Sequence, residues 1–349
     1  SNQVNRVMEH YNHHTRVQPY SRFTPSAEAG QEMDRAHYGW AQALNISPEE
    51  LTIGPSTSMN TYVMAQAIGA SWKPGDEIIV TNQDHEANSG VWRRKAEEMG
   101  VTIRQWEVDA DTGLLDIDSL TPLLNDNTRW AFFTHCSNIV GTANPVKEIT
   151  SSIKAASNAR VFIDAVAYAP HHISDLKSLG VDGYTFSLYK VFGPHQSLLY
   201  VNADVHPEMT SQAHYFNRGH PTKDFNPAGP QHAQVAACAG VLDYFDDLYQ
   251  HHFGSTEKSR NAQLQDIHQL QQFIEQRHAF DKTVSFADFI MLTNKVMEGT
   301  RQLSMPYEDD LVRSYMGLVQ PDTVKNYVSE DYSSARILVR HNLHSSRQL

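Results

Sequence analysis

Between Leu51 and Val201 the chain alternates short apolar, β-branched or aromatic runs with segments of helical spacing, and this alternation constrains the fold more than any other feature. Leu51–Ile53, Glu77–Thr81, Val101–Trp106, Arg129–Thr134, Val161–Asp164, Gly183–Ser187 and Ser197–Val201 read as strands. Thr57–Gly69, Ala87–Met99, Asp116–Leu124 and Val146–Ser157 read as the helices between them. Near-continuous apolar strands separated by helices predict an α/β architecture: a mostly parallel seven-stranded sheet with helices on both faces. Lys73-Pro74-Gly75-Asp76 and Asp111-Thr112-Gly113 punctuate the pattern as turns.

Past about Pro230 the character changes. Gln231–Phe253 and Thr256–Arg277 read as two long helices, and a mixed segment follows that ends in a short strand, Ala335–Val339. A chain of 349 residues has room for two domains. The change of pattern predicts a large domain over 1–240 and a smaller α+β domain over 241–349.

In a sheet of this kind ligands collect beyond the carboxyl ends of the strands, so the polar residues just after each strand carry the functional information. Gly54-Pro55-Ser56-Thr57-Ser58-Met59-Asn60 follows the first strand and opens a helix. Ser56 and Thr57 there offer hydroxyls and backbone N–H groups to a phosphate, although Ser56 also reads as a plain N-cap. Asp84-His85-Glu86-Ala87-Asn88 places an imidazole after the second strand, suited to stacking or proton transfer. Asn138, after Arg129–Thr134, offers an amide. Asp164 ends an apolar strand, where an aspartate is either an Asx turn or a carboxylate aimed into the cleft. Lys190 follows Gly183–Ser187 and is flanked by Tyr189, Val191 and Phe192, company that predicts a desolvated, nucleophilic amine. Singly each has an ordinary structural reading. In this order, after successive strands, they are what a phosphorylated pyridine aldehyde requires: phosphate cradle, ring cover, amide, carboxylate for the ring nitrogen, and lysine for an imine.

Four motifs give that order a family resemblance: DHEAN…VW (Asp84–Trp92), SNIVGTANPVKEI (Ser137–Ile149), IDAVAYAPHH (Ile163–His172) and SLYKVFGPH (Ser187–His195). They resemble the signatures of class V aminotransferases, fold-type I enzymes dependent on pyridoxal 5'-phosphate (PLP), and within them the cysteine desulfurase-like branch. FNPAGPQH (Phe225–His232) resembles that branch too. The resemblance runs from about Arg35 to Phe245 and is poor from about Gly254 to Ser334.

The resemblance implies that Lys190 carries PLP as a Schiff base and, once released, acts as the base at Cα. It implies that Asp164 pairs with the pyridine nitrogen, that His85 stacks on the ring and that Asn138 approaches the ring hydroxyl. Ser56, Thr57 and Ser187 would hold the phosphate together with Tyr189, which stands where desulfurases carry histidine. Arg336 matches the arginine that binds the substrate carboxylate, with Arg340 as a nearby competitor. The implied partner is a small amino-acid substrate, and the implied assembly is a homodimer with Phe225–His232 in a loop approaching a cofactor.

The chain also departs from the pattern. Ala167 stands three residues after Asp164, where relatives carry glutamine or histidine. The loop that bears the persulfide cysteine in desulfurases has none, since Cys136 and Cys238 both lie upstream. The family's opening strand is not seen, so the chain is expected to begin inside the first helix. Transamination or a C–S lyase type of elimination is therefore expected ahead of desulfuration through a persulfide. The alternative reading is a catalytically degenerate PLP-binding homologue serving as a scaffold or partner subunit.

Composition removes other classes. A formal net charge of −12 provides no footprint for nucleic acid or an anionic membrane surface. No apolar stretch approaches the roughly 18 residues of a membrane helix. Two cysteines outside any CxxC pair fit a reducing cytoplasm. The 19 histidines fall as singles and adjacent pairs, which point to different faces, so no metal-ligand set is expected.

Overall fold

The computed structural model describes residues 1–217, 219–253, 267–270, 280–298 and 337–341, with the single positions 305, 312, 315, 327, 328 and 335. Two compact units are present, Ser1–Phe245 and Asp246–Leu349.

The first unit is built on a seven-stranded sheet. Its strands are β1 (Leu51–Gly54), β2 (Glu77–Thr81), β3 (Thr102–Trp106), β4 (Thr128–Thr134), β5 (Arg160–Asp164), β6 (Gly183–Ser187) and β7 (Ser197–Val201), in the spatial order β1-β7-β6-β5-β4-β2-β3. All neighbouring pairs are parallel except those of β7, which runs antiparallel to both β1 and β6. The mostly parallel seven-stranded sheet expected from the sequence is the one found. The reversal at β7 follows from its connection: the few residues between Ser187 and Ser197 are too short for a parallel crossover.

The helices of this unit are α1 (Asn2–His14), α2 (Thr24–Ala43), α3 (Thr57–Gly69), α4 (Gly90–Met99), α5 (Ile117–Leu120), α6 (Val146–Ala156), α7 (Leu176–Leu179) and α8 (His232–Ala237), and α9 (Ala239–Phe253) begins in it and runs past its last residue. Successive strand residues enter opposite cores, as the period of two demands. Ala131, Phe133, Val161 and Ile163 pack with α1, α2, α6 and α8, whereas Trp130, Phe132 and Phe162 pack with α3 and α4. Trp92 of α4 stacks on Phe132 with ring centroids 3.9 Å apart. The sheet is thus covered on both faces, which is why its strands read as continuous apolar runs.

Three helices read from the sequence are shorter than expected. Ala87–Met99 is a 3-10 turn, Glu86–Asn88, followed by α4. Asp116–Leu124 is α5 followed by a 3-10 turn holding Pro122, which lacks the N–H that a continued helix needs. Gln231–Phe253 breaks between α8 and α9 at Cys238, whose carbonyl accepts from Trp40 Nε1 at 2.9 Å.

In the second unit, β8 (Phe280–Ser285) pairs antiparallel with β9 (Ile337–His341), and α10 (Phe286–Glu298) follows β8 directly. Phe286, Ala287, Ile290, Val312 and Tyr315 form a core of their own. Most of Thr256–Arg277 lies outside the described residues.

Candidate active site

Beyond the carboxyl ends of β4, β5 and β6, within the first unit, lies a cavity of about 300 Å³. It is lined by Ser56, Thr57, His85, Asn138, Asp164, Ser187, Tyr189 and Lys190. The structure therefore brings together every sequence-derived candidate except Arg336, which lies outside the described residues. Its competitor Arg340 is in β9, opposite Lys282.

Asp164 closes β5, in register with Thr134 on β4 and Thr185 on β6. It is 4% exposed, and its Oδ1 accepts the Val166 N–H at 2.9 Å. Burial pushes its carboxyl up to about 6 against that hydrogen bond and the nearby His85. No lysine or arginine among the described residues acts on it.

Lys190 sits in the 3-10 turn Leu188–Val191 that follows β6. The desolvated amine expected from its apolar neighbours is not found: the side chain is exposed, because this turn carries it out to the mouth of the cavity while Leu188 and Val191 face the core. Lys190 Nζ lies 5.6 Å from the Tyr189 ring centroid, and it has no hydrogen-bond or ion-pair partner among the described residues. Tyr189 in turn stacks on His195, with centroids 5.2 Å apart and planes within 6°.

The opposite wall is the amino end of α3. Ser56 caps it by accepting the Met59 N–H at 3.2 Å, so the ordinary N-cap reading of this residue is correct as far as it goes. Thr57 Oγ1 lies 2.8 Å from Ser187 Oγ and 2.9 Å from Ser197 Oγ, tying α3 to the ends of β6 and β7. First-turn amides have no partner within their own helix and face the dipole's positive end, which suits a phosphate.

His85 is exposed at the cavity edge, where its Nδ1 accepts the Ala87 N–H at 3.0 Å. That bond puts the proton of a neutral ring on Nε2. Asn138 is exposed in the loop after β4 and has no side-chain partner among the described residues.

Sequence reasoning missed several lining residues. Thr134 closes β4, and its Oγ1 donates to the carbonyls of Cys136 at 2.8 Å and Asp164 at 3.2 Å. The strand register beside Asp164 was the signal that could have found it. Cys136 lines the cavity, with its thiol pushed up by burial. Ala167 also lines it, and its methyl offers no hydrogen bond where a glutamine or histidine would.

These residues fit PLP on the chemistry of the donor set. A buried carboxylate lacking a Lys or Arg partner suits a protonated pyridine, an unpaired primary amine suits an aldehyde, and a hydroxyl-lined helix terminus suits a phosphate.

The fold is that of fold type I, a mostly parallel seven-stranded sheet covered by helices. The chain matches the class-V aminotransferases over residues 1–288, and it belongs to that family. Among curated proteins it is 39% identical over 204 residues to an aminotransferase-like protein of Gibberella zeae, covering 58% of this chain and 50% of that one. It is 35% identical over 193 residues to a cysteine desulfurase of Serratia proteamaculans, covering 55% and 47%. The chain thus spans about half the length of the curated relatives it matches.

Among solved structures, the apo cysteine desulfurase of Thermococcus onnurineus superposes with a TM-score of 0.65 at 20% identity, over 79% of this chain and 70% of that one. A cystine C-S lyase in complex with its product cysteine persulfide superposes with a TM-score of 0.59 at 20% identity, over 70% and 68%. A variant of that lyase holds glycine covalently linked to its PLP cofactor. At these identities the likeness is one of fold. No helix among the described residues is long and apolar enough to cross a membrane.

Proposed function

We propose that this chain binds PLP at Lys190 and acts on a small amino acid, by transamination or by elimination of the C–S lyase type. One observation carries the reading: among the described residues, a buried carboxylate without a Lys or Arg partner and a primary amine without a hydrogen-bond or ion-pair partner line the same cavity. When bound, PLP supplies an electron sink for the charge that develops at Cα of the amino acid.

The protein's own groups do the rest. Asp164 holds the proton on the ring nitrogen, since a cation beside it relieves the cost of burying its charge. Ser56, Thr57 and Ser187, with the first-turn amides of α3, bind the phosphate. His85 covers one ring face, Asn138 reaches the ring hydroxyl, and Lys190 moves the proton at Cα. Tyr189, held flat against His195, walls the phosphate end. Arg336 binds the substrate carboxylate, and the working unit is a homodimer.

Reaction type rests on what Cys136 can do. Partial burial disfavours its thiolate, the nucleophile that a persulfide relay requires. Transamination and C–S elimination need no such thiolate. Product analysis of the PLP-loaded protein across an amino-acid panel, with and without a keto-acid acceptor, separates them. A keto acid formed together with an aminated acceptor identifies transamination, and pyruvate with ammonia and a sulfur product identifies the lyase. A protein that holds PLP and forms neither would overturn the proposal.

A further inference from the structure

The turn that presents His85 contains a second acid, the half-buried Asp84. Asp84 Oδ1 accepts Asn88 Nδ2 at 2.7 Å, and Oδ2 accepts the Thr81 hydroxyl. Asn88 is 1% exposed and accepts Trp92 Nε1 at 2.9 Å, which anchors the chain of bonds in the core beneath α4. Thr81 Oγ1 also accepts the Gln83 N–H at 3.1 Å. The turn is therefore pinned at both ends through one carboxyl group, and His85 is the next residue along.

Asp84 is also linked to Asp164. The Thr134 backbone acts on the Asp84 carboxyl and favours its charged form, while Thr134 Oγ1 donates to the Asp164 carbonyl at 3.2 Å. Thr134 ends β4 in register with Asp164 on β5, and Asp84 lies in the turn after β2, the other neighbour of β4. Two strand spacings amount to roughly 10 Å. At that separation, in a partly buried site, two like charges interact by roughly one pKa unit.

We propose that Asp84 is a positioning residue, the second member of a carboxyl pair with Asp164. Its charge strengthens the hold of Asp164 on a cationic ring, and its hydrogen bonds keep His85 over that ring. The inference rests on the PLP reading above.

The groups acting on Asp84 from the packed elements are Thr81 and Asn88 in its own turn, the Thr134 backbone on β4 and Asp164 on β5, and none of them is a cation. Burial is the largest effect, and it pushes the carboxyl up to about 7 with Asp164 adding to the rise. The pair accordingly passes from one negative charge to two near neutrality. Burial likewise pushes Asp164 up, to about 6, so the two charges belong to the pair rather than to either residue. Among the described residues no lysine or arginine acts on either carboxyl, and a protonated pyridine would provide the countercharge.

The test is a pH titration of the visible absorption of bound PLP in wild type, Asp84→Asn and Asp84→Ala. Removing a negative charge near a cationic acid makes that acid easier to deprotonate. Both variants should therefore shift the spectral midpoint down by roughly one pH unit. Asp84→Ala, which also releases Asn88 and Thr81, should in addition change the circular dichroism induced in the bound cofactor, a report on ring orientation. A variant that binds PLP with an unshifted midpoint overturns the inference and leaves the PLP reading standing. A wild type that takes up no PLP overturns the PLP reading itself. If neither variant folds, carboxyl carbon NMR of the PLP-free wild type decides: two mutually coupled titrations support the pair, and two independent ones overturn it.

Discussion

Asp164 pits stability against function within one side chain. Its folded pKa is raised to about 6 from an ordinary value near 4, so its contribution to the stability of the PLP-free protein is complete below about pH 4 and is lost as the pH rises through 6. Asp164→Asn should therefore stabilise the PLP-free protein at pH 8 by about 1–2 kcal/mol in urea unfolding, while weakening PLP retention at least tenfold. Unchanged retention would remove Asp164 from the site. His135 shows the opposite sign. Its ring stacks on Tyr168 at 3.5 Å and its Nδ1 lies 2.9 Å from the Tyr184 hydroxyl. Burial, with a smaller push from His172, lowers it to about 4. Its contribution is complete above about pH 6.5 and is lost as the pH falls towards 4. Melting curves of His135→Phe should lose part of the wild-type decline over that interval, and parallel declines in the two proteins would contradict this. At this scale the sequence identified residues better than environments. Lys190 was found by its place after a strand, yet its exposure was not readable, because the 3-10 turn that turns it outward has no signature of its own. Asp84 was passed over in favour of His85, since only the bonds to Thr81 and Asn88 distinguish it from an ordinary turn aspartate.

Among elements, the junction of β1 and α3 is the most demanding. A Cβ on Gly54 would stand 1.9 Å from Asn60 Oδ1, and Asn60 is 2% exposed. Gly54→Ala must displace the start of α3, so it should cost about 1–3 kcal/mol in a melting experiment and weaken PLP binding as well. Loss of stability with unchanged PLP affinity would show that the amino end of α3 does not hold the phosphate. Strands were the most legible elements, because burial on both faces makes them uninterrupted apolar runs; Glu77–Thr81, Gly183–Ser187 and Ser197–Val201 have the same limits in sequence and structure. Helix ends were less so. The start of α4 is delayed to Gly90 because His85 Nδ1 takes the Ala87 N–H and Asn88 is tied to Asp84 and Trp92, interactions set by tertiary placement. An opening helix was expected without limits and is α1, whereas α2 was not read, although Pro25 in its first turn is a recognisable start signal.

For the whole molecule, all the described lining residues belong to Ser1–Phe245, so occupation of the cavity should register as stability of that unit. PLP at about 100 times its Kd contributes about 2.7 kcal/mol, which should raise the melting temperature of this unit by about 5–10 °C. Lys190→Ala should lose most of that rise. The fold class was legible throughout this unit because strand, helix and turn signals agree with one another. The second unit was hardly legible beyond its terminal strand, where no run of alternating elements accumulates, and Arg336, the expected carboxylate ligand, lies outside the described residues. The most direct test of the central claim is chemical: incubate the protein with PLP, reduce with borohydride, and map the modified peptide by mass spectrometry. The account predicts a phosphopyridoxyl group on Lys190 and none elsewhere, and a label on a different lysine, or on no lysine, would contradict it.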